Sequence, residues 1–283
     1  MMDTDSKEAP YTGSSFRREL LIKGLRGSLF SRNPVFLERV DSTNSFLKKM
    51  GDSGAPEGTL VLTEEQTAGR GRLGRPWLSP RYVNLLFSLL LRPERMEIKE
   101  AFSLTVILAL AAIDGIEAVS SLRAGIKWPN DIYVGQRKLG GILTEVCGGN
   151  RKLEYAVLGL GLNVNWRPQE TDSLLYPTTS ISAEYGEVVS REELLVQILI
   201  RFEAYYKKVL RAGGIESFQE RLNERALFLG RDVEIDTADG NISGKAIGMD
   251  KYGALIVADR KHGEQRVLYG DVRVKFKGKE DSP

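Results

Sequence analysis

Two segments carry the chemistry this chain offers. GRGRLGRPW at 69–77 alternates glycine with Arg70, Arg72 and Arg75. Glycine lets a backbone approach a ligand closely, and guanidinium forks grip phosphate or carboxylate. The string lacks the ending and helix start of a Walker loop. KWPNDIYVGQRKLGG at 127–141 adds a carboxylate, Asp131, and a cation, Lys138. Pro129 holds Trp128 extended, and Asn130-Asp131 favours a turn. Gly140 and Gly141 leave the strand after Lys138 nearly bare. Bare interior strand positions mark close approach by a ligand, and a flat ring lying there would explain them. Each segment also has a plainer reading. The first is then an exposed loop of solvated arginines, and the second a strand whose turn is capped by Asp131. Trp77 either packs on the core or folds over a bound ligand. Taken jointly, the two suit a small carboxylic acid, a nucleotide phosphate and a reaction between them.

A third polar cluster, Asp41-Ser42-Thr43-Asn44, opens a helix. Its hydroxyls and free backbone amides either cap that helix or meet a polar ligand head. Gln66, just ahead of the Gly/Arg loop, adds an amide.

The other side chains narrow the chemistry. The 283 residues hold one cysteine, Cys147, and one histidine, His262. Disulfide frameworks, zinc sites and histidine-based triads all need more. Cys147 reads as a small core residue and His262 as an exposed turn residue. Lys+Arg of 40 against Asp+Glu of 38 leaves a net charge of +2, no footprint for general nucleic-acid binding. The apolar runs at 85–91 and 104–113 read as too short to span a bilayer, and the acidic start is no signal peptide. These features predict a cytoplasmic protein with no DNA and no membrane partner.

The length suggests two domains. Residues 1–15 are expected to be disordered, 16–229 to form the large domain and 230–278 a small β-barrel domain. In the large domain a helix is predicted over 16–30, with Leu20, Leu21 and Leu25 on one side. Pro34 ends it, a strand follows over 35–40, and a helix runs from Asp41-Ser42 through Met50. Strands are predicted at 58–63, 84–91, 126–128, 132–134, 138–146 and 155–164, the hairpin turn falling at 135–137. Apolar residues over 99–119 predict a long helix on the sheet. Ser190 with Glu193 forms a capping box for a helix to about Leu210, and a further helix runs to about Leu229. From Gly230 only short β-runs remain, a unit too small to be stable alone. The fold class is α+β: a mixed sheet with flanking helices plus a small C-terminal β-barrel.

DSTN, EEQTAGRGRLGRPW, KWPNDIYVGQRKLGGILTE and GLGLNVN, in this order, resemble the biotin protein ligases over about residues 35–278. The resemblance implies a sheet of the class II synthetase type. It implies that biotin and MgATP form biotinyl-5′-AMP, with biotin then passed to a lysine of a biotin carboxyl carrier protein. Ser42, Thr43 and Asn44 resemble the pocket for the biotin ureido head, with Gln66 beside it. Arg70, Gly71 and Arg72 resemble the loop that closes over biotin and the adenylate phosphate, with Trp77 after it. Lys138 resembles the lysine at the carboxylate and α-phosphate. Gly140 and Gly141 would floor the biotin rings. Asn130, Asn163 and the 165–180 loop would lie near the nucleotide. Asp131 matches the motif carboxylate, expected to guide the attacking amine. YGDVRVKF at the C-terminus matches more loosely, which leaves Arg273 and Lys275 without a role.

The lead before residue 35 has room for one short helix, so a monofunctional ligase is expected rather than one with a DNA-binding domain. The rival reading is a lipoate or octanoate ligase or transferase of the same fold. The Arg-rich loop and the lone Cys147 weigh against a thioester-using transferase. A strand edge at 138–146 would suit pairing with a carrier or with a second copy as a homodimer.

Overall fold

A computed structural model describes residues 13–32, 34–167, 176–237, 240–259 and 262–274. Most of the start expected to be disordered, residues 168–175 of the 165–180 loop, and Lys275 lie outside the described residues. The chain begins with α1 (Arg18–Gly24), then β1 (Pro34–Leu37), α2 (Thr43–Asp52), β2 (Leu60–Thr63) and β3 (Leu85–Leu91). The long helix α3 (Phe102–Ser120) follows. After it come β4 (Gly125–Lys127), β5 (Asp131–Val134), β6 (Arg137–Gly149) and β7 (Lys152–Leu162). Helices α4 (Ile181–Tyr185), α5 (Arg191–Ala212) and α6 (Gln219–Arg225) complete the larger unit. Strands β8 (Asp232–Thr237), β9 (Gly240–Met249), β10 (Leu255–Asp259), β11 (Gly263–Val267) and β12 (Asp271–Val274) form the smaller.

The first seven strands make one mixed sheet in the order β1-β2-β3-β7-β6-β5-β4. Only β1 and β2 run parallel. β3 is buried at every residue and sits near the middle, as a continuous apolar run bounded by turns requires. α3 is apolar on nearly all sides and buried between the sheet and α5. Ile98–Ser120 is long and apolar enough, by length and composition, to cross a membrane, beyond the shorter runs read from sequence. Most of it is buried inside the protein, as the core helix.

Several boundaries differ from expectation for physical reasons. α1 stops at Gly24 because the chain turns through Gly27, whose φ is +82°. Leu21 and Leu25 are buried but Leu20 is exposed, so the three do not share a face. β1 starts at Pro34 itself, since an edge strand tolerates proline as its first residue. α6 ends at Arg225, after which Ala226 pairs with Ile126 and the Leu227 N–H donates to the Ile126 carbonyl at 2.9 Å. At α5, the Ser190 hydroxyl accepts from the Glu193 N–H at 3.2 Å. It is Glu192, not Glu193, that takes the Ser190 hydroxyl proton, at 3.1 Å. β6 is no free edge at its start, because β5 covers residues 137–141. Beyond Ile142, no described strand pairs with β6 on that side.

The smaller unit is an antiparallel sheet in the order β11-β10-β9-β8-β12. Its Val233, Ile235, Leu255 and Val257 belong to the same buried cluster as Ile107 and Leu110 of α3. The Trp128 indole N–H donates to the Gly253 carbonyl at 3.1 Å, joining the two units directly. A unit this small gains most of its stability from such a shared core.

One ion pair ties the back of the molecule together. Arg191, at the start of α5, bonds Glu64 at 2.7 Å with both side chains 5% or less exposed. Glu64 also accepts from the Phe16 N–H at 2.7 Å, and Arg191 donates to the Asn84 carbonyl at 2.9 Å. Glu64→Ala strands a buried guanidinium and is expected to cost about 3–5 kcal/mol in urea unfolding. The double variant Glu64→Leu/Arg191→Met should recover most of that loss. A Glu64→Ala protein of unchanged midpoint would contradict this account.

Candidate active site

The site is a cavity of about 520 Å³ on the face of β6 and β7. Register sets its floor. Gly141 pairs with Gly161, and Leu143 with Gly159. Alternation along each strand turns Gly141, Gly159 and Gly161 toward the cavity. A Cβ at Gly159 would lie 2.1 Å from Asn44 Oδ1, and one at Gly161 would lie 2.5 Å from Trp77 Cε2. Neither close approach is open to a larger residue without displacement. Gly140 belongs to the other face. A Cβ there would meet Leu162 Cδ1 at 2.8 Å, and Gly140 does not line the cavity. The expected floor of Gly140 and Gly141 is therefore corrected to Gly141, Gly159 and Gly161.

One end of the cavity is neutral and polar. Ser42 caps α2 by accepting from the Ser45 N–H. Gln66 Oε1 accepts from the Thr43 N–H at 2.8 Å and from the Thr43 hydroxyl at 3.1 Å. This orients the other end of the Gln66 amide, its NH2, away from Thr43. The Asn44 NH2 donates to the Leu143 carbonyl at 3.0 Å and to Glu145 Oε2 at 2.9 Å. Its Oδ1 accepts from the buried Ser88 hydroxyl at 2.6 Å.

The opposite end is cationic. Lys138 Nζ lies 2.7 Å from Asp131 Oδ1, with side chains 19% and 21% exposed. Asp131 is thus half-buried. Lys138 also stands 5.8 Å from the Trp77 ring and 5.9 Å from the Tyr176 ring. Lys127 and Arg75 approach the same Tyr176 ring, at 5.8 and 6.0 Å. Burial, and then the nearby Asp131 charge, pushes the Tyr133 hydroxyl well above its ordinary value, so it stays neutral. The Lys138 backbone is held too: its N–H donates to the Pro177 carbonyl at 2.8 Å and its carbonyl accepts from the Thr179 N–H at 2.9 Å.

The Gly/Arg segment spans both ends. The Trp77 N–H donates to the Gly69 carbonyl at 2.9 Å and the Gly71 N–H to the Arg75 carbonyl at 2.7 Å, closing it as a tight loop. Its arginines do not converge on one point. Arg70 donates to the Ser45 hydroxyl at 2.8 Å, and Arg72 to Asn130 Oδ1 at 3.3 Å and the Gly270 carbonyl at 3.4 Å, while Arg75 faces Tyr176. The loop is pinned instead at three walls around the cavity.

The cavity thus gathers Ser42, Thr43, Asn44, Gln66, Arg70, Gly71, Arg72 and Trp77 with Asn130, Asp131, Lys138, Gly141 and Asn163. Asn163 is buried, its NH2 donating to the Thr179 carbonyl at 3.0 Å. Sequence reasoning missed Tyr176, which no motif marked, and gave no role to Lys127, although it opens the KWPND segment. It also missed Ser88, which lies outside the lining and supports Asn44 from behind. It also missed Gly159 and Gly161, although their alternation within a strand was a signal. Asp236 and Arg273 of the smaller unit, paired at 3.0 Å, line the rim. Cys147 and His262 lie outside the cavity lining.

The pattern of the Biotin/lipoate A/B protein ligase family matches residues 36–163. That of the Biotin protein ligase C terminal domain matches residues 228–274. The chain is 32% identical over 252 residues to the bifunctional ligase/repressor BirA of Bacillus subtilis, covering 89% of this chain and 77% of that protein. It is 30% identical over 261 residues to the biotin–[acetyl-CoA-carboxylase] ligase of Mycobacterium tuberculosis, covering 90% and 92%. The structure of biotin protein ligase from Aquifex aeolicus in complex with biotin and ATP superposes with a TM-score of 0.74 at 29% identity. That match covers 86% of this chain and 99% of the other.

The floor geometry makes an optical prediction. Gly161→Ala should push the Trp77 ring off the sheet and shift tryptophan emission relative to the parent protein. The shift should vanish in a Trp77→Phe background, which leaves only Trp128 and Trp166. Equal shifts in both backgrounds would refute the contact.

Proposed function

The chain belongs to the biotin protein ligases, and we propose that this one cavity carries both steps of its reaction. The protein activates biotin with ATP and transfers it to protein. The observation that carries the residue assignment is the polarity of the cavity: a neutral hydrogen-bonding pocket at one end, cations at the other, and a bare floor between them. The ureido head of biotin matches the neutral end, where the Thr43 and Ser42 hydroxyls and the Gln66 amide meet its carbonyl and N–H groups. The fused rings lie over Gly141, Gly159 and Gly161. The valeryl carboxylate then reaches Lys138.

In the first step a biotin carboxylate oxygen bonds to the α-phosphorus of ATP, and the bond to the bridging oxygen breaks. Biotinyl-5′-AMP and pyrophosphate result. Two anions must meet, and Lys138 with Arg70 and Arg72 offsets their repulsion and the charge that grows in the transition state. Magnesium fits here as the counter-ion of the nucleotide phosphates, a role that needs only one or two protein carboxylates. Asp131 and Asp236 are the carboxylates of the lining, and the described residues hold no group of three metal-ligating side chains. Asn130 and Asn163 border the nucleotide. In the second step an uncharged lysine amine attacks the acyl carbon, an amide forms, AMP leaves, and the amine proton is released. Asp131 guides that amine, and the Gly/Arg loop keeps water from the anhydride.

The acceptor is a biotin carboxyl carrier protein. The part of β6 beyond Ile142 offers it, or a second copy, a strand to pair with. The reading includes a domain boundary near Gly230, a cytoplasmic location and no DNA target. A lipoate or octanoate ligase is disfavoured, because residues 228–274 match a biotin ligase C-terminal domain.

Pyrophosphate–ATP exchange with biotin, lipoate and octanoate tests the substrate. Exchange with lipoate but not biotin would overturn it. Lys138→Ala is expected to lower biotin-dependent exchange about 10²–10³-fold, the usual loss for one preorganised donor. Unchanged exchange would remove Lys138 from the reaction. Arg72→Gly should loosen the loop at Asn130 and Gly270 and release free adenylate that labels bystander lysines. No rise in free adenylate would argue against a gating loop.

A further inference from the structure

We propose that Glu145 is a positioning residue that links the biotin head pocket to the Gly/Arg loop. The inference rests on the reading that Thr43, Asn44 and Gln66 hold the ureido head.

Glu145 lies on β6 two residues beyond Leu143 and four beyond Gly141, so alternation puts it on the cavity face past the floor. Its two carboxylate oxygens do different things. Oε2 accepts from the Asn44 NH2 at 2.9 Å. Oε1 faces the Arg70 guanidinium at 3.9 Å. Arg70 is held at the same place by the Ser45 hydroxyl at 2.8 Å, and Ser45 lies one residue beyond Asn44 in α2. One half-buried carboxylate therefore touches both a pocket wall and the loop that closes the pocket.

Its effect on Asn44 follows from counting donors. Both Asn44 amide protons are used, one on the Leu143 carbonyl and one on Glu145. The amide oxygen must then point inward, toward Ser88 and the bare backbone of Gly159. An amide has one other orientation, which would present NH2 to Ser88 and oxygen to two acceptors. The Leu143 carbonyl and the Glu145 carboxylate, both acceptors, together oppose it. The pocket thereby keeps an acceptor at Asn44 for a ureido N–H, and the neighbouring Gln66 keeps its NH2 for the ureido carbonyl. The attraction between Glu145 and Arg70 is weaker, since that pair is long and open to solvent.

Two substitutions separate the roles. Glu145→Gln keeps an oxygen acceptor for Asn44 but loses the charge that draws Arg70. Its biotin KM should stay within about twofold, while adenylate escapes about threefold faster, as loss of a solvent-exposed ion pair implies. Glu145→Ala loses both and strands an amide proton. Its biotin KM should rise about tenfold with little change in ATP KM. Glu145→Asp should recover part of that rise. All variants are compared below their melting temperatures, where a merely structural role would leave the split between biotin and ATP KM unmoved. Thr43→Ala serves as the reference. If Thr43→Ala leaves biotin KM unchanged, the head-pocket reading falls. If Thr43→Ala raises it but Glu145→Ala does not, Glu145 has no positioning role. If Glu145→Gln leaves adenylate release unchanged, the link to the loop is wrong.

Discussion

A patch of sheet left bare at three glycines, Gly141, Gly159 and Gly161, is the constraint around which this molecule is arranged. Gly141, Gly159 and Gly161 sit side by side because β6 and β7 pair in one register. Slipping β7 by one residue against β6 would turn Leu160 and Leu162 toward the cavity and fill it. Interior strand glycines weaken a sheet by roughly 0.5–1 kcal/mol each relative to alanine. The surrounding layers offset that weakness: β3 is buried along its whole length, and α3, backed by α5, covers the other face. The helix α2 can come down onto the sheet only where Gly159 is bare, and Trp77 only where Gly161 is. The polar pocket and the closing loop are both consequences.

Charge is distributed to suit that floor. Positive groups cluster at one end, around Tyr176, and among the described residues Asp131 is the acid that meets Lys138 directly. An ammonium already held by a carboxylate at 2.7 Å is oriented before substrate arrives, which removes reorganisation from the reaction itself. The aromatic ring offers the cations a face that does not neutralise them. The neutral end works differently. There the Thr43 and Asn44 donors have fixed acceptors, and these set the orientation of the Gln66 and Asn44 amides.

The smaller sheet is part of this arrangement, not an appendage. Trp128 of the KWPND segment reaches Gly253, and Arg72 of the loop reaches Gly270. One apolar cluster runs through both units. A movement of the smaller sheet would therefore act on the Gly/Arg loop directly. The residues at the cavity rim, Asp236 of β8 and Arg273 of β12, adjoin Ile235 and Val272, which belong to that shared cluster.

The strands and helices were largely legible because hydrophobic periodicity and turn residues are local signals: DSTN with its Ser42 cap, the unbroken run at 85–91, the hairpin at 135–137. The set of polar residues was legible as well, since Ser42, Gln66, Arg72 and Lys138 stand in motifs whose order is specific. What no local signal contained was which face each residue takes and what lies across from it. Gly140 and Gly141 are equivalent as letters, and only the pairing with β7 sends one to the cavity and the other away. Arg70, Arg72 and Arg75 alternate in sequence, yet the loop closure directs them to three walls. Tyr176 and Ser88 carry no motif and enter the site only because long-range pairing brings their segments there. The sequence by itself determined the elements and the chemical inventory, because those depend on near neighbours along the chain. Tertiary structure alone decided the floor, the spread of the arginines and the two-sided contact of Glu145, because each depends on register between strands far apart in sequence.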